Sequence, residues 1–182
     1  MKPPIFLLSG PPAAGKSTIS KALLQKFRYG FHIPVDDLRG WVVSGLSNPI
    51  GSWDPETDRQ FRLARQSAAA LALVYAAAGF TVAIDDVIFP EQASAHYDDL
   101  LAAYPVHKVL LRPSLEVTLT RNALRERAVE PGLLNNIIEP IHAAFDLEQL
   151  QGFNWQLIDS SHLSVEETVT EILHYTGYSP NI

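Results

Sequence analysis

The stretch IFLLSGPPAAGKST, residues 5–18, constrains this chain more than any other. Ile5 to Ser9 is an apolar run closed by a glycine, the pattern of a short strand buried on both faces of a sheet. Gly10, Gly15, Lys16 and Ser17 then fit G-x-x-x-x-G-K-[ST], a loop that aims backbone N–H groups at phosphate and runs into a helix. Such a strand needs helices above and below it, so the motif implies an α/β architecture. Pro11 and Pro12 lie inside the loop and have no N–H to give. They fall on its ascending limb. The donors wanted at a phosphate belong to Ala13, Ala14, Gly15, Lys16, Ser17 and Thr18, none of which is proline.

The rest of the chain alternates strand and helix patterns. A helix is expected from Lys16 to about Phe27. FHIPVDD (31–37) reads as a second strand, placed at a sheet edge by Pro34. SGLSNPIGSW (44–53) is rich in turn formers. Asp54-Pro55 opens a long helix, with Phe61, Ala64, Ala68, Leu71, Tyr75 and Ala78 on its buried face and Gly79 at its end. FTVAIDD (80–86) and VHKVLL (106–111) are further strands, separated by a helix over about 90–103. Pro113-Ser114 opens a helix to about Ala128, and Pro131-Gly132 interrupts it. Leu134, Ile138, Ile141 and Phe145 mark another helix, kinked before Pro140. FNWQLID (153–159) is the last strand, and Ser164 with Glu167 forms a capping box for the last helix. The 182 residues suit one domain over 1–182, with a lid at about 121–140.

Ligands of parallel sheets bind beyond the carboxyl ends of the strands. Two Asp pairs fall at that edge: Asp36 and Asp37 after the second strand, Asp85 and Asp86 at the end of the third. Phosphoryl transfer needs a carboxylate to orient or deprotonate the attacking hydroxyl, a role that falls to Asp36, with Asp37 beside the substrate. It also needs a cation held by hard oxygens, those of the Ser17 hydroxyl with Asp85 or Asp86, directly or through water. Lys16 reaches the β- and γ-phosphates. Arg39 holds an anionic part of the substrate or the transferred phosphate, or simply faces solvent. Arg121 and Arg125, four apart on one helical face, neutralise charge on the moving phosphoryl group from the lid. The competing reading makes Asp36 or Asp37 a helix cap and pairs the arginines with Glu126 and Glu130. Trp41, Trp53 and Phe61 either line an acceptor pocket or pack the core.

GPPAAGKST, VDDLR, IDD and RNALRER, in this order, resemble the P-loop small kinases. The likeness is strongest to chloramphenicol phosphotransferase-like and zeta-toxin-like members, with tunicamycin-resistance-type proteins as cousins. It implies a three-layer P-loop NTPase fold with a parallel sheet of order 2-3-1-4-5, ATP and Mg²⁺, and a base aspartate that falls on Asp36. DDLR also resembles the polynucleotide 5′-hydroxyl kinase pattern, which puts Arg39 on a phosphate of the acceptor. After Arg125 the chain departs from the R-x-x-x-R-G-D-R lid of such proteins.

The expectation is therefore an ATP-dependent kinase with a small-molecule hydroxyl as acceptor, an antibiotic or a metabolite. Its rivals are a nucleoside, nucleotide or polynucleotide 5′-hydroxyl kinase, and a nucleotide-binding regulatory ATPase. A net charge of −6 argues against a broad nucleic-acid or anionic-membrane footprint. The absence of cysteine excludes disulfides and thiolate metal sites. With no long uncharged apolar run and no signal-peptide core, the chain is expected in the cytoplasm. Neither the acceptor nor the oligomeric state is encoded in these patterns.

Overall fold

Strand β1 (Ile5–Ser9) is buried along its whole length. Its side chains alternate between two cores, Ile5 and Leu7 in one, Phe6 and Leu8 in the other. This is the period-two exchange of a central strand. A computed structural model describes residues 2–50, 53–124, 131–145 and 152–178. Within them β2 (Gly30–Pro34), β3 (Thr81–Asp85), β4 (Val106–Leu111) and β5 (Gln156–Ile158) join β1 in a five-stranded sheet of order β2-β3-β1-β4-β5. The four pairings are all parallel. Pro34 thus sits at an edge, where its missing N–H breaks no ladder.

Helices cover both faces. Helix α1 (Lys16–Leu24) and α8 (Val165–Thr176) close the core of Phe6 and Leu8. Helix α3 (Pro55–Ala77) and the helical segment after β3 close the core of Ile5 and Leu7. That segment runs through α4 (Pro90–Ala93), a π-helical turn at Ser94–Asp98 and α5 (Asp99–Leu101). Helix α2 (Val35–Gly40) follows β2 directly; α6 (Leu115–Ala123) and α7 (Pro131–Ala144) follow β4. Pro140 lies inside α7. Among the described residues no helix is long and apolar enough to cross a membrane.

Several boundaries differ from expectation. The second strand stops at Pro34 instead of running to residue 37, so Asp36 and Asp37 occupy the first turn of α2 and its N-cap is Pro34. Asp54 caps α3 as expected, its Oδ1 accepting from the Thr57 N–H at 2.7 Å. The buried stripe of α3 is turned from the expected one: Ala72 and Ala76 are buried, whereas Ala78 is exposed. Arg65 lies on that stripe. The capping box of α8 forms both ways, Glu167 N–H to Ser164 Oγ at 3.2 Å and Ser164 N–H to Glu167 Oε2 at 2.8 Å. The expected helix to Ala128 is described only as far as α6, and Arg125 lies outside the described residues.

Candidate active site

The loop after β1 is shaped by backbone positions few residues tolerate. Gly10 has φ +145°, and a Cβ there would stand 2.1 Å from the Leu111 carbonyl oxygen of β4. Gly15 enters α1 at φ 97°. Ala13, buried, takes φ 65°, a left-handed conformation that strains a residue with a side chain. Alternation of left- and right-handed residues turns successive N–H groups inward and makes an anion cradle. The N–H groups of Lys16, Ser17 and Thr18 in the first turn of α1 have no intrahelical acceptor, as at every helix start.

Pro11 serves through its carbonyl. Lys16 Nζ donates to the Gly10 and Pro11 carbonyls at 2.9 and 3.0 Å, which folds its ammonium back over the loop. The Ala14 N–H donates to the Pro11 carbonyl at 3.2 Å. Ala14 was expected among the phosphate donors; in this structure its N–H closes the loop's own turn.

The two Asp pairs arrive at the loop from neighbouring strands, with Asp85 in register with Leu8 and with Pro34. Asp36 is solvent-accessible at the mouth of the site, yet the protein packed round it limits hydration of its carboxylate. That desolvation is the largest influence and raises its pKa. The Lys16 ammonium opposes it, Asp86 and Asp85 reinforce it, and Arg39 opposes it again. Asp37, the next residue round the helix, is also exposed. Asp85 is buried, and its Oδ2 lies 2.5 Å from His32 Nε2 on β2. His32 is in register with Ala83, two residues before Asp85, so the two side chains share a sheet face on a diagonal.

The cation role was expected of Asp85 or Asp86, and Asp86 has other partners in this structure. Its Oδ2 accepts from Arg65 Nε at 2.7 Å and from the Tyr97 hydroxyl at 3.1 Å, and its Oδ1 from Arg65 Nη2 at 3.5 Å. All three residues are buried. Burial, reinforced by Asp86, pushes the Tyr97 phenol well above its usual pKa, so it stays protonated and donates.

Two arginines also sit differently from expectation. Arg39 is buried; its Nη2 donates to the Ser47 carbonyl at 2.5 Å, and its guanidinium lies 4.3 Å from the Phe61 ring centre. Trp53 stacks on the same ring at 4.9 Å. Gln60 holds the same loop, accepting from Ser47 N–H and Oγ at 3.0 and 3.1 Å. Arg121, expected to act from the lid, is held by backbone carbonyls in this structure. Its Nη2 donates to the Ser160 carbonyl at 2.8 Å and its Nη1 to the Ala14 carbonyl at 3.3 Å. With Gly15, Thr18, Ser160 and Leu163 it lines a cavity of about 250 Å³ beside α1. His32, Arg65, Tyr97 and Ser160 join the site without belonging to any sequence motif. Arg65 reads as a surface charge in the sequence, because the stripe expected there does not include it.

A parallel sheet of this order, with a phosphate cradle after its first strand and carboxylates at the ends of the next two, defines a P-loop kinase domain. The chain belongs to the AAA_33 family, described as an AAA domain, whose model matches residues 5–142. No curated protein matches the sequence. Among solved structures the fold is similar to a sugar kinase from Janibacter sp. HTCC2649, at 18% identity over 99% of this chain and 97% of that one, with a TM-score of 0.66. It is also similar to the tunicamycin resistance protein of Deinococcus radiodurans, at 19% identity over 97% of each chain, with a TM-score of 0.65. The shikimate kinase of Bacteroides thetaiotaomicron shares 19% identity over 96% of this chain and 98% of that one, with a TM-score of 0.61.

Proposed function

We propose that this protein is an ATP-dependent phosphotransferase acting on a hydroxyl of a small molecule. The observation that carries the reading is Asp36, an accessible carboxylate of raised pKa at the mouth of the loop, within electrostatic reach of Lys16. A switch that only hydrolyses nucleotide has no need of such a group there. Asp36 takes the proton from the acceptor hydroxyl as its oxygen bonds to the γ-phosphorus and the bridging P–O bond breaks, leaving ADP. The N–H groups of the loop and of the first turn of α1 hold the phosphates, and Lys16 exchanges its loop carbonyls for phosphate oxygens. Arg121 and the cavity beside it hold the nucleoside; residues 125–130 of the expected lid lie outside the described residues.

The donor set fits magnesium: the Ser17 hydroxyl and the Asp85 carboxylate are hard oxygens at the same strand edge, and Asp85 is steadied by His32. When bound there, the ion neutralises charge on the phosphates. Asp86 takes no part, because Arg65 and Tyr97 occupy its oxygens.

The test is ADP release measured against a library of hydroxylated metabolites and antibiotics, with mass detection of the phosphorylated product. Acceptor-dependent release that Asp36→Asn abolishes, while ATP still binds, supports the reading. Nucleotide hydrolysis without any phosphorylated product, coupled to capture of a protein partner, would replace it with the regulatory ATPase.

A further inference from the structure

Beyond Arg39, the α2 side and α3 enclose a groove of about 530 Å³, a volume suited to a ligand of drug size. Leu38, Trp41 and Val42 form one wall; Leu63, Leu71 and Val74 form the other. Trp41 is 71% exposed and Val74 66%, an unusual cost for large apolar side chains at one place on a surface.

The polar groups of the groove are unevenly placed. Arg39 and Gln60 stand together, both joined to Ser47, while Ser67 is the one other hydrogen-bonding side chain among the described lining residues apart from the Trp41 indole. Arg39 is one helical turn from Asp36 on the same short helix, about 5 Å along its axis. The residue is 8% exposed, and its Nε has no acceptor among the described residues. The groove therefore has its polar end at Arg39, one turn from Asp36, and runs away from it as an apolar channel. A compact polyol entering the channel would leave its remaining hydroxyls without partners, each an unfavourable burial. A molecule with one polar end and an apolar body would leave none.

We infer that the acceptor is a small amphiphile, its hydroxylated head beside Asp36 and Arg39 and its apolar body lying between Trp41 and α3. This rests on the phosphotransferase reading and narrows its substrate class.

The groove can be read without turnover. In the full chain carrying Trp53→Phe and Trp155→Phe, Trp41 is the only indole, because the sequence has three. The probes are glucose, n-hexyl β-glucoside and n-octyl β-glucoside below micelle concentration, with and without a non-hydrolysable ATP analogue. The expected result is a saturable blue shift of Trp41 emission for the alkyl glucosides, none for glucose, and affinity rising about two- to fourfold per methylene. The nucleotide analogue leaves this binding in place. Ala70→Glu, which puts a charge into the groove wall, and Ser67→Phe, which fills it without adding an indole, each remove the chain-length dependence. Gln66→Glu, the same charge on an exposed α3 residue outside the lining, keeps it.

Equal binding of glucose and octyl glucoside, tail-dependent binding indifferent to Ala70→Glu, or displacement by the nucleotide analogue would each overturn the inference. So would emission already blue at high protein concentration and reddening on dilution, the mark of a face covered by a second copy of the chain. The phosphotransferase reading fails separately, on the Asp36→Asn assay.

Discussion

Arg65 Nε donates to Asp86 Oδ2 across 2.7 Å, joining α3 to the end of β3 in a buried ion pair. The Tyr97 hydroxyl and the Val87 carbonyl complete the network, the latter 3.3 Å from Arg65 Nη2. Removing one partner strands the other charge in the interior, at about 3–5 kcal/mol. Arg65→Met is therefore expected to lower the nucleotide-free unfolding free energy by that amount, as read from urea denaturation. Arg65→Met combined with Asp86→Leu should recover part of it, because no unpaired charge then remains. An Asp86→Asn variant of unchanged stability but lost magnesium dependence would return Asp86 to the cation site.

The pH dependence of transfer follows from the surroundings of Asp36. In the proposed mechanism the carboxylate must be ionised to take a proton, and its pKa is raised, first by desolvation. The acid limb of kcat/KM should therefore lie above that of an ordinary aspartate: activity is lost at a higher pH as the solution is acidified. Arg39 lowers this pKa. Arg39→Gln should consequently move the acid limb to still higher pH, measured from full pH–rate profiles. If Arg39 only pins Ser47, the limb will stay in place and KM alone will change.

The loop geometry separates two substitutions that both add carbon near the phosphate. In Gly10→Ala the new Cβ meets the Leu111 carbonyl, a backbone atom of β4 that cannot swing away. That variant should lose both stability and nucleotide affinity. Ala13→Gly needs no room and relieves a left-handed φ, which offsets its greater unfolded-state entropy. It should bind nucleotide as well as the parent, whereas the β-branched Ala13→Val should bind at least about tenfold more weakly. Calorimetric titration of the three variants with ATP and Mg²⁺ checks the order.

Much of the fold is legible in the sequence because its signals are local. The apolar run of β1, the glycines of the loop, Asp54-Pro55 and the Ser164–Glu167 box each declare themselves within a few residues. Pro34 marks an edge strand for a local reason too. The site is less legible because its contacts join distant segments. His32 and Asp85 meet only once β2 and β3 are paired in register, and no spacing reveals that. Alanine in α3 fits either face, so periodicity alone draws Ala78 into a stripe that the helix turns away from. Arg65, on the true stripe, reads as a surface charge until Asp86 is found opposite it. Helical spacing puts Arg121 and Arg125 on one face without saying what Arg121 meets.

That gap makes Arg121 the sharpest test of the site. Its guanidinium is held by the Ser160 and Ala14 carbonyls at the wall of the cavity beside α1. On the proposed reading, an arginine placed there contacts the nucleoside equally in the ground and transition states. Its removal then raises KM for ATP and spares kcat, because uniform binding does not change the barrier of the bound complex. Arg121→Ala is expected to weaken nucleotide binding about tenfold, near 1.4 kcal/mol, with kcat changed less than about threefold. Arg121→Lys keeps the charge but not the two-pronged hold on Ser160 and Ala14, so it should fall near the alanine variant. A fall in kcat of a hundredfold or more with little change in nucleotide affinity would instead place Arg121 on the moving phosphoryl group and require the loop and α6 to close together during turnover.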